Sequence, residues 1–385
     1  MDQKLVKAAK DYAHSAHEEE LALLRALARI PAPTGHEERR AAFVERWLLE
    51  QGAGRDQVAV DAAGNVILTL AGADRSRCSV FSAHLDVVAN DEDELPFRED
   101  EGRMYAPGVG DDTANLVGLL MAAKWLLARK PRLAHDVLIV ANTCEEGLGN
   151  LRGTKELVAK LGTSGPAIAD FTSFDLYLGQ HIVSAVGSHR WRVSCRCEGG
   201  HSWEDAGAPS AVEAVSRVIC GLYALTLPDG AKTSVNAGCV HGGTTVNAIA
   251  SEAEALLEYR SASQENLILM RGRFEAMVEG LRGHGVEIEL ELIGERPANP
   301  ALDPKGQEAL VAAGDAAIRE AGHTEPAHQQ SSTDANVPLS LGVRAHTMGA
   351  VAGALLHTRD EWVEKASLEP GLALIVAHIL DIAGE

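Results

Sequence analysis

Apolar residues recur at helical spacing over residues 18–29 and again over 37–50, and the turn PAPTGHEE between them offers Thr34 or Gly35 to open the second helix. QVAVDAAGNVILTLAG then reads as a hairpin, and RCSVFSAHLDVVA is an apolar, β-rich run of the kind buried inside a sheet. A helix is expected over about 113–128, a second buried strand in HDVLIVANTC, and a further helix after Gly153. Buried strands alternating with helices predict an α/β layer fold with a mostly parallel sheet and flanking helices.

From about Gly187 the pattern changes to strand HRWRVSCRC, a helix over 209–225, strands TSVNAGCV and EAEALLEYR, a helix over 264–281 and strand VEIELELIG. That order is a split βαβ unit, an α+β ferredoxin-like arrangement. After Pro297 the alternation resumes with the helix DPKGQEALVAAGDAAIREAG, the strand VRAHTMG and a last helix over about 369–382. The middle module thus reads as an insertion: residues 1–187 and 297–385 would form one domain and 188–296 the other. A chain of 385 residues is long enough to need two cores.

Composition narrows the function classes. Hydrophobic residues at 46% and charged residues at 23% fit a folded globular chain. The formal net charge of -20 repels a phosphate backbone, so no nucleic-acid partner is expected. The charged N-terminal segment is unlike a secretory signal, and no run suggests a bilayer span, so no membrane association is expected. Six cysteines scattered through the chain, with Cys195 and Cys197 on one strand and no second pair following, predict buried thiols in a reducing cytoplasm rather than a disulfide framework or a zinc ribbon.

Strand ends are where an open α/β sheet presents its ligands. His84 and Asp86 sit at the end of SVFSAHLD, on one face if the strand continues, where the carboxylate could fix an imidazole that binds a metal; a structural histidine beside an aspartate is the other reading. Asp111 and Asp112 follow a Gly-rich turn in YAPGVGDDTANLVGLL and suit either a metal bridge or a helix cap. That turn lacks the later glycine of a dinucleotide loop, which argues against an NAD enzyme. Glu145 and Glu146 at the mouth of the strand VLIVANT repel each other unless one binds a cation and the other exchanges a proton, which is what a metal-assisted hydrolase requires; a solvated acidic loop is the other reading. Asp175 and a late His357 complete the set.

In order and local context these residues resemble metallopeptidase family twenty, the co-catalytic zinc hydrolases that include aminoacylases, bacterial glutamate carboxypeptidase, tripeptidase T and amino-acid deacylases. The segments PGVGDD, EEGLGNLRGTKEL, GGHSWEDAG, HGGTTVNAIA with LLEYRS, SSTDANVPLSLG and LLHTRDEW carry the likeness along nearly the whole chain. The resemblance implies two divalent metal ions, zinc first and Mn or Co as substitutes. It makes Asp111 the shared carboxylate, with His84 and Asp175 completing one site and Glu146 and His357 the other. Asp86 would orient His84, Glu145 would be the general base and acid, and Asp170 competes with Asp175 for its ligand role. His201, Asn247 and Arg260 match positions that hold substrate or the oxyanion, His201 reaching into a partner subunit's site. The inserted module would then be a dimerisation and lid domain, and the protein a homodimer.

The resemblance also bears on substrate. Relatives that cut dipeptides, tripeptides or free N-termini tend to have Asp where Asp175 stands, which favours a small-peptide peptidase over an N-acyl amino acid deacylase or carboxypeptidase. Thr113 departs from the pattern, since many relatives have Lys after the two aspartates. A non-catalytic dimeric binding protein is the remote alternative, and all five ligand positions and Glu145 are chemically competent against it.

Overall fold

A computed structural model describes residues 3–91, 93–300, 304–322 and 325–384. The chain divides into two compact units, Met1–Ser184 with Asp303–Glu385, and Ala185–Leu302.

The first unit is built on an eight-stranded mixed sheet. Its strands in chain order are β1 (Val58–Val60), β2 (Val66–Leu70), β3 (Asp74–His84), β4 (His135–Asn142), β5 (Ala167–Leu178), β6 (Gln180–Ala185), β7 (Ala327–Ser331) and β8 (Ala345–Gly349), arranged β1-β2-β4-β3-β5-β8-β6-β7. Parallel pairing runs through the middle, where β4, β3, β5 and β8 lie side by side. All eight residues of β4 are buried, as expected of a strand covered on both faces. On the margins the chain turns straight back in the β1–β2 hairpin, and β2–β4 and β8–β6 pair antiparallel. Helices Asn115–Arg129 and Arg152–Ser164 make the crossovers into β4 and β5. Helices Gln3–Leu27, Asn115–Arg129 and Lys365–Ala383 pack together in the main core.

Several elements differ from the sequence expectation. The first helix begins at Gln3, because Ala9, Ala13 and Ala16 give its charged N-terminal half a buried face. The second, Glu38–Glu50, is opened by neither Thr34 nor Gly35: the Thr34 hydroxyl donates to Asp86 (2.9 Å), and the Glu37 carboxylate accepts from the Gly35 and Cys144 amides. Strand β5 was hidden by its polar residues, which are buried here, Thr172 with its hydroxyl on His346 (2.9 Å) and Asp170 on Arg344 (2.9 Å). Helix Lys365–Ala383 is apolar and long enough to cross a bilayer, yet most of it is buried in this unit.

The second unit is a four-stranded antiparallel sheet in the order Thr233–Gly242, Glu252–Ser261, Gly187–Arg196, Glu287–Arg296. Helices Ala211–Ala224 and Gln264–Glu279 start at Ser210 and Ser263, whose hydroxyls accept the Glu213 and Asn266 amides. They cover a core of Trp191, Val193, Tyr259 and Phe274.

One buried acid sets a pH dependence. Glu20, on the first helix, is 1% exposed, and its Oε2 has no hydrogen bond among the described residues. Burial, with the Glu369 charge adding to it, pushes its carboxyl up to about 8 from 4.5. Between those values the folded chain holds a proton that the unfolded chain has released, so stability falls as pH rises through the window. Glu20→Gln is expected to flatten this slope, leaving the variant more stable than wild type near pH 8, by up to a few kcal/mol. Thermal melts between about pH 5 and pH 8 test it; parallel slopes for the two chains would remove Glu20 from the account.

Candidate active site

The carboxyl ends of β3, β4 and β5 meet at one edge of the large sheet, and the cluster forms there. His84 is the last residue of β3. Its Nδ1–H donates to the Asp86 carbonyl (3.0 Å), so Nε2 faces Asp111 Oδ1 at 2.9 Å and Asp175 Oδ1 at 3.9 Å. Because the strand stops at His84, Asp86 is not its same-face neighbour on the strand. The carbonyl of Asp86 fixes the ring, while its carboxylate, 3.5 Å from Nδ1, accepts the Glu145 (3.0 Å) and Glu146 (2.9 Å) amides and the Thr34 hydroxyl. One residue thus holds both the imidazole and the CEEG turn.

The GVGDD turn is shaped by what surrounds it. A Cβ on Gly108, at φ +68°, would lie 2.1 Å from Val87 Cγ1, and one on Gly110 would lie 2.6 Å from Tyr177 Cε1. The fully buried Glu361 accepts the amides of Gly108 (2.9 Å), Gly110 (2.8 Å) and Asp111 (2.8 Å). The Asp111–Asp112 peptide is cis, and the two carboxylates serve different ends. Asp112 caps no helix: it accepts the His84 amide and the Asn115 side-chain N–H, both at 2.8 Å. Asp111 points into the cluster, with Oδ1 on His84 and Oδ2 3.1 Å from His357 Nε2. His357, half exposed on its loop, also lies 3.0 Å from Glu146 Oε1.

Two groups of donors result, His84–Asp111–Asp175 and Asp111–Glu146–His357, the atoms of each within 4.8 Å of one another; Glu145 forms a third such group with His84 and Glu146. Asp170 is drawn away by Arg344 (2.9 Å) and takes no part. The donor set fits divalent cations. Asp175 Oδ1 is buried with no hydrogen bond among the described residues, although it faces the cluster. Imidazole and carboxylate are the ligands that zinc, manganese and cobalt accept.

Titration behaviour points the same way. Burial alone would lower His84, but Asp112, Asp111 and Asp86 outweigh it and hold the ring well above its usual range. Hydrogen bonds to Asp111 and Glu146 push His357 up to about 11. Burial would raise Asp111, yet hydrogen bonds from His357 and His84 hold it below the usual carboxylate range. Asp175 is raised well above that range by burial and by the charges of Asp111 and Asp112.

Two buried supports were not found from the sequence. Glu361 is raised to about 7 by burial and by Asp111, and nothing in its spacing marks it, since its partners are backbone amides some 250 residues away. Arg40 is fully buried, donating to the Leu85 carbonyl (2.9 Å) and the Thr113 hydroxyl (3.1 Å); burial lowers it to about 10. Thr113 also donates to the Gly108 carbonyl (2.6 Å), so the position that departs from the family pattern is an internal brace of the turn.

The remaining predicted residues lie in the second unit. Gly200–His201 pairs with Ala248–Ile249, which sets His201 beside Asn247; both are exposed. Arg260 lies at the other end of the Glu252–Ser261 strand, opposite Ser188, with Glu258 on its Nε at 2.8 Å. Arg196 and Glu252, next to the turn carrying His201, are roughly 25 Å away along the strand pair.

Comparison with known proteins follows this geometry. An uncharacterized Bacillus subtilis protein is 25% identical over 371 residues, covering 93% of this chain and 96% of that one. A succinyl-diaminopimelate desuccinylase of Corynebacterium glutamicum is 26% identical over 353 residues, covering 89% and 90%. The solved structure of a Staphylococcus aureus tripeptidase superposes with a TM-score of 0.74 at 20% identity, covering 95% of this chain and 98% of its own, which establishes the shared fold. Residues 80–381 match the whole-family pattern that spans the strand-end cluster, and the chain belongs to peptidase family M20/M25/M40.

Proposed function

We propose that this family hydrolase cuts the amide bond of small peptides, using two divalent cations held by His84, Asp111 and Asp175 and by Asp111, Glu146 and His357. One observation carries the reading: the two oxygens of Asp111 face different imidazoles, His84 at 2.9 Å and His357 at 3.1 Å, as a carboxylate shared between two cations must. Zinc is the proposed ion for this donor set, with Mn or Co able to replace it. When bound, such ions supply a water of lowered pKa and polarise the scissile carbonyl.

The chain's own groups do the rest. Glu145 is the general base: it takes the proton from the attacking water and returns it to the departing amine. Its placement is rigid, because its amide is held by Asp86 Oδ1 (3.0 Å) and the preceding Cys144 amide by Glu37 (3.0 Å). Asp86 is a positioning residue that ties Glu145 and Glu146 to the same strand end as His84.

His201 is assigned to the developing oxyanion, and Asn247 and Arg260 to substrate, the Arg fork suiting a carboxylate. The separation of Arg260 from His201 and Asn247 within the second unit favours a site completed by two chains, with His201 supplied by a second copy. On this reading the inserted module, residues 188–296, is a dimerisation and lid domain and the protein a homodimer. The reduced thiols suit a cytoplasmic enzyme.

Deacylation of an N-acyl amino acid is the second reading, favoured by the likeness to a desuccinylase. The first experiment is amino-acid release from dipeptides, tripeptides and their N-acetylated forms, with and without chelator and with Zn, Mn or Co restored. Chelator-sensitive cleavage that needs a free amine is expected. Preference for the acylated forms would move the assignment to a deacylase, and no turnover with metal bound would overturn the hydrolase mechanism. Glu145→Gln is expected to lower kcat roughly 10²–10⁴-fold with the metal content unchanged. Wild-type turnover in that variant, both metals present, would remove Glu145 from its role.

A further inference from the structure

The far edge of the large sheet carries a second histidine cluster that the hydrolase chemistry does not use. His181 on β6, His328 on the neighbouring β7 and Asp315 on helix Gln307–Glu320 converge there. His181 Nδ1 and His328 Nε2 both lie 2.8 Å from one oxygen, Asp315 Oδ1. The two rings stand 5.4 Å apart and nearly perpendicular, at 82°, and the three donor atoms fall within 4.8 Å of one another.

The second nitrogen of His181 is already committed. Its Nε2 lies 2.7 Å from His346 Nδ1, and His346 Nε2 lies 2.9 Å from the Thr172 hydroxyl, which also meets His378 Nε2 at 3.1 Å. A ligating imidazole is oriented by such a bond from its other nitrogen. The rings have this room because residue 314, one turn-step before Asp315, is glycine: a Cβ there would lie 2.8 Å from His181 Cε1 and 2.7 Å from His346 Cε1.

We propose that His181 Nδ1, Asp315 Oδ1 and His328 Nε2 form a metal site of their own, taking a zinc-class divalent ion with water in the remaining position. Two imidazoles and one carboxylate select such an ion over calcium or magnesium, which prefer an all-oxygen shell. Tetrahedral bonds of about 2.0–2.1 Å space ligands about 3.3 Å apart. The cluster must therefore open by roughly half an ångström. His328, 47% exposed on its strand, can move that far and gives the ion its way in. The competing cation, Arg319, stays 3.9 Å from the other Asp315 oxygen. His181 Nδ1 and His328 Nε2 donate their protons to Asp315 Oδ1, and a bound ion would displace those protons and take the same three atoms. The ion would join β6 to the helix and strand that follow one another more than a hundred residues later, fastening the edge strands to the helix.

The test is a metal count on tag-free protein, stripped with chelator, titrated with Zn(II) or Co(II) alone and desalted. Wild type is compared with His328→Ala and with the shape-conserving Asp315→Asn. Either substitution is expected to lose one equivalent per chain and the part of the Co(II) visible absorption due to these imidazoles, with hydrolytic turnover unchanged. In a chain carrying His84→Ala and His357→Ala, one equivalent should remain until His328→Ala removes it. Equal counts and equal Co(II) spectra in wild type and both single variants would overturn the proposal.

Discussion

The candidate active site depends on where the two oxygens of Asp111 are made to point. A buried carboxylate between two imidazoles is costly unless its surroundings are built to hold it. Here the Glu361 carboxylate takes three amides of the GVGDD turn, including that of Asp111 itself. Asp112 is sent the opposite way, onto the His84 amide. The adjacent aspartates thus divide into one that faces the cluster and one that fastens it to β3.

Charge is managed by the same arrangement. Asp111, Glu146 and Asp175 gather with Glu145 around two imidazoles in a largely buried space. The carboxylates hold His84 and His357 above the usual imidazole range, a charge balance that cations in the same place would take over. Behind the cluster the buried Arg40, on helix Glu38–Glu50, braces the Leu85 carbonyl and Thr113.

The second cluster, at the β6–β7 edge, follows a different logic. Its histidines continue inward through His346 and Thr172 to His378, a polar line through the core that the strand pattern did not reveal. Polar residues buried inside a fold look like surface residues when read along a chain. That is why β5, with Asp170, Thr172, Ser173 and Asp175 all buried, was not legible as a strand.

Much was legible all the same. Apolar runs such as HDVLIVANTC could bury only as central strands, and the change of pattern near Gly187 marked a separate module, because periodicity records which face of each element meets a core. His84, Asp111, Glu145, Glu146, Asp175 and His357 stood out as a set in chain order, each of them alone having a structural reading as well. The sequence already favoured Asp175 over Asp170; tertiary structure alone showed that Arg344 holds Asp170 away from the cluster and that the Asp86 carbonyl sets the His84 tautomer. It alone revealed Glu361 and Arg40, whose hydrogen bonds reach backbone groups and a hydroxyl far along the chain. Local pattern carries the identity of a donor; its direction is set by contacts that exist only once distant segments have packed.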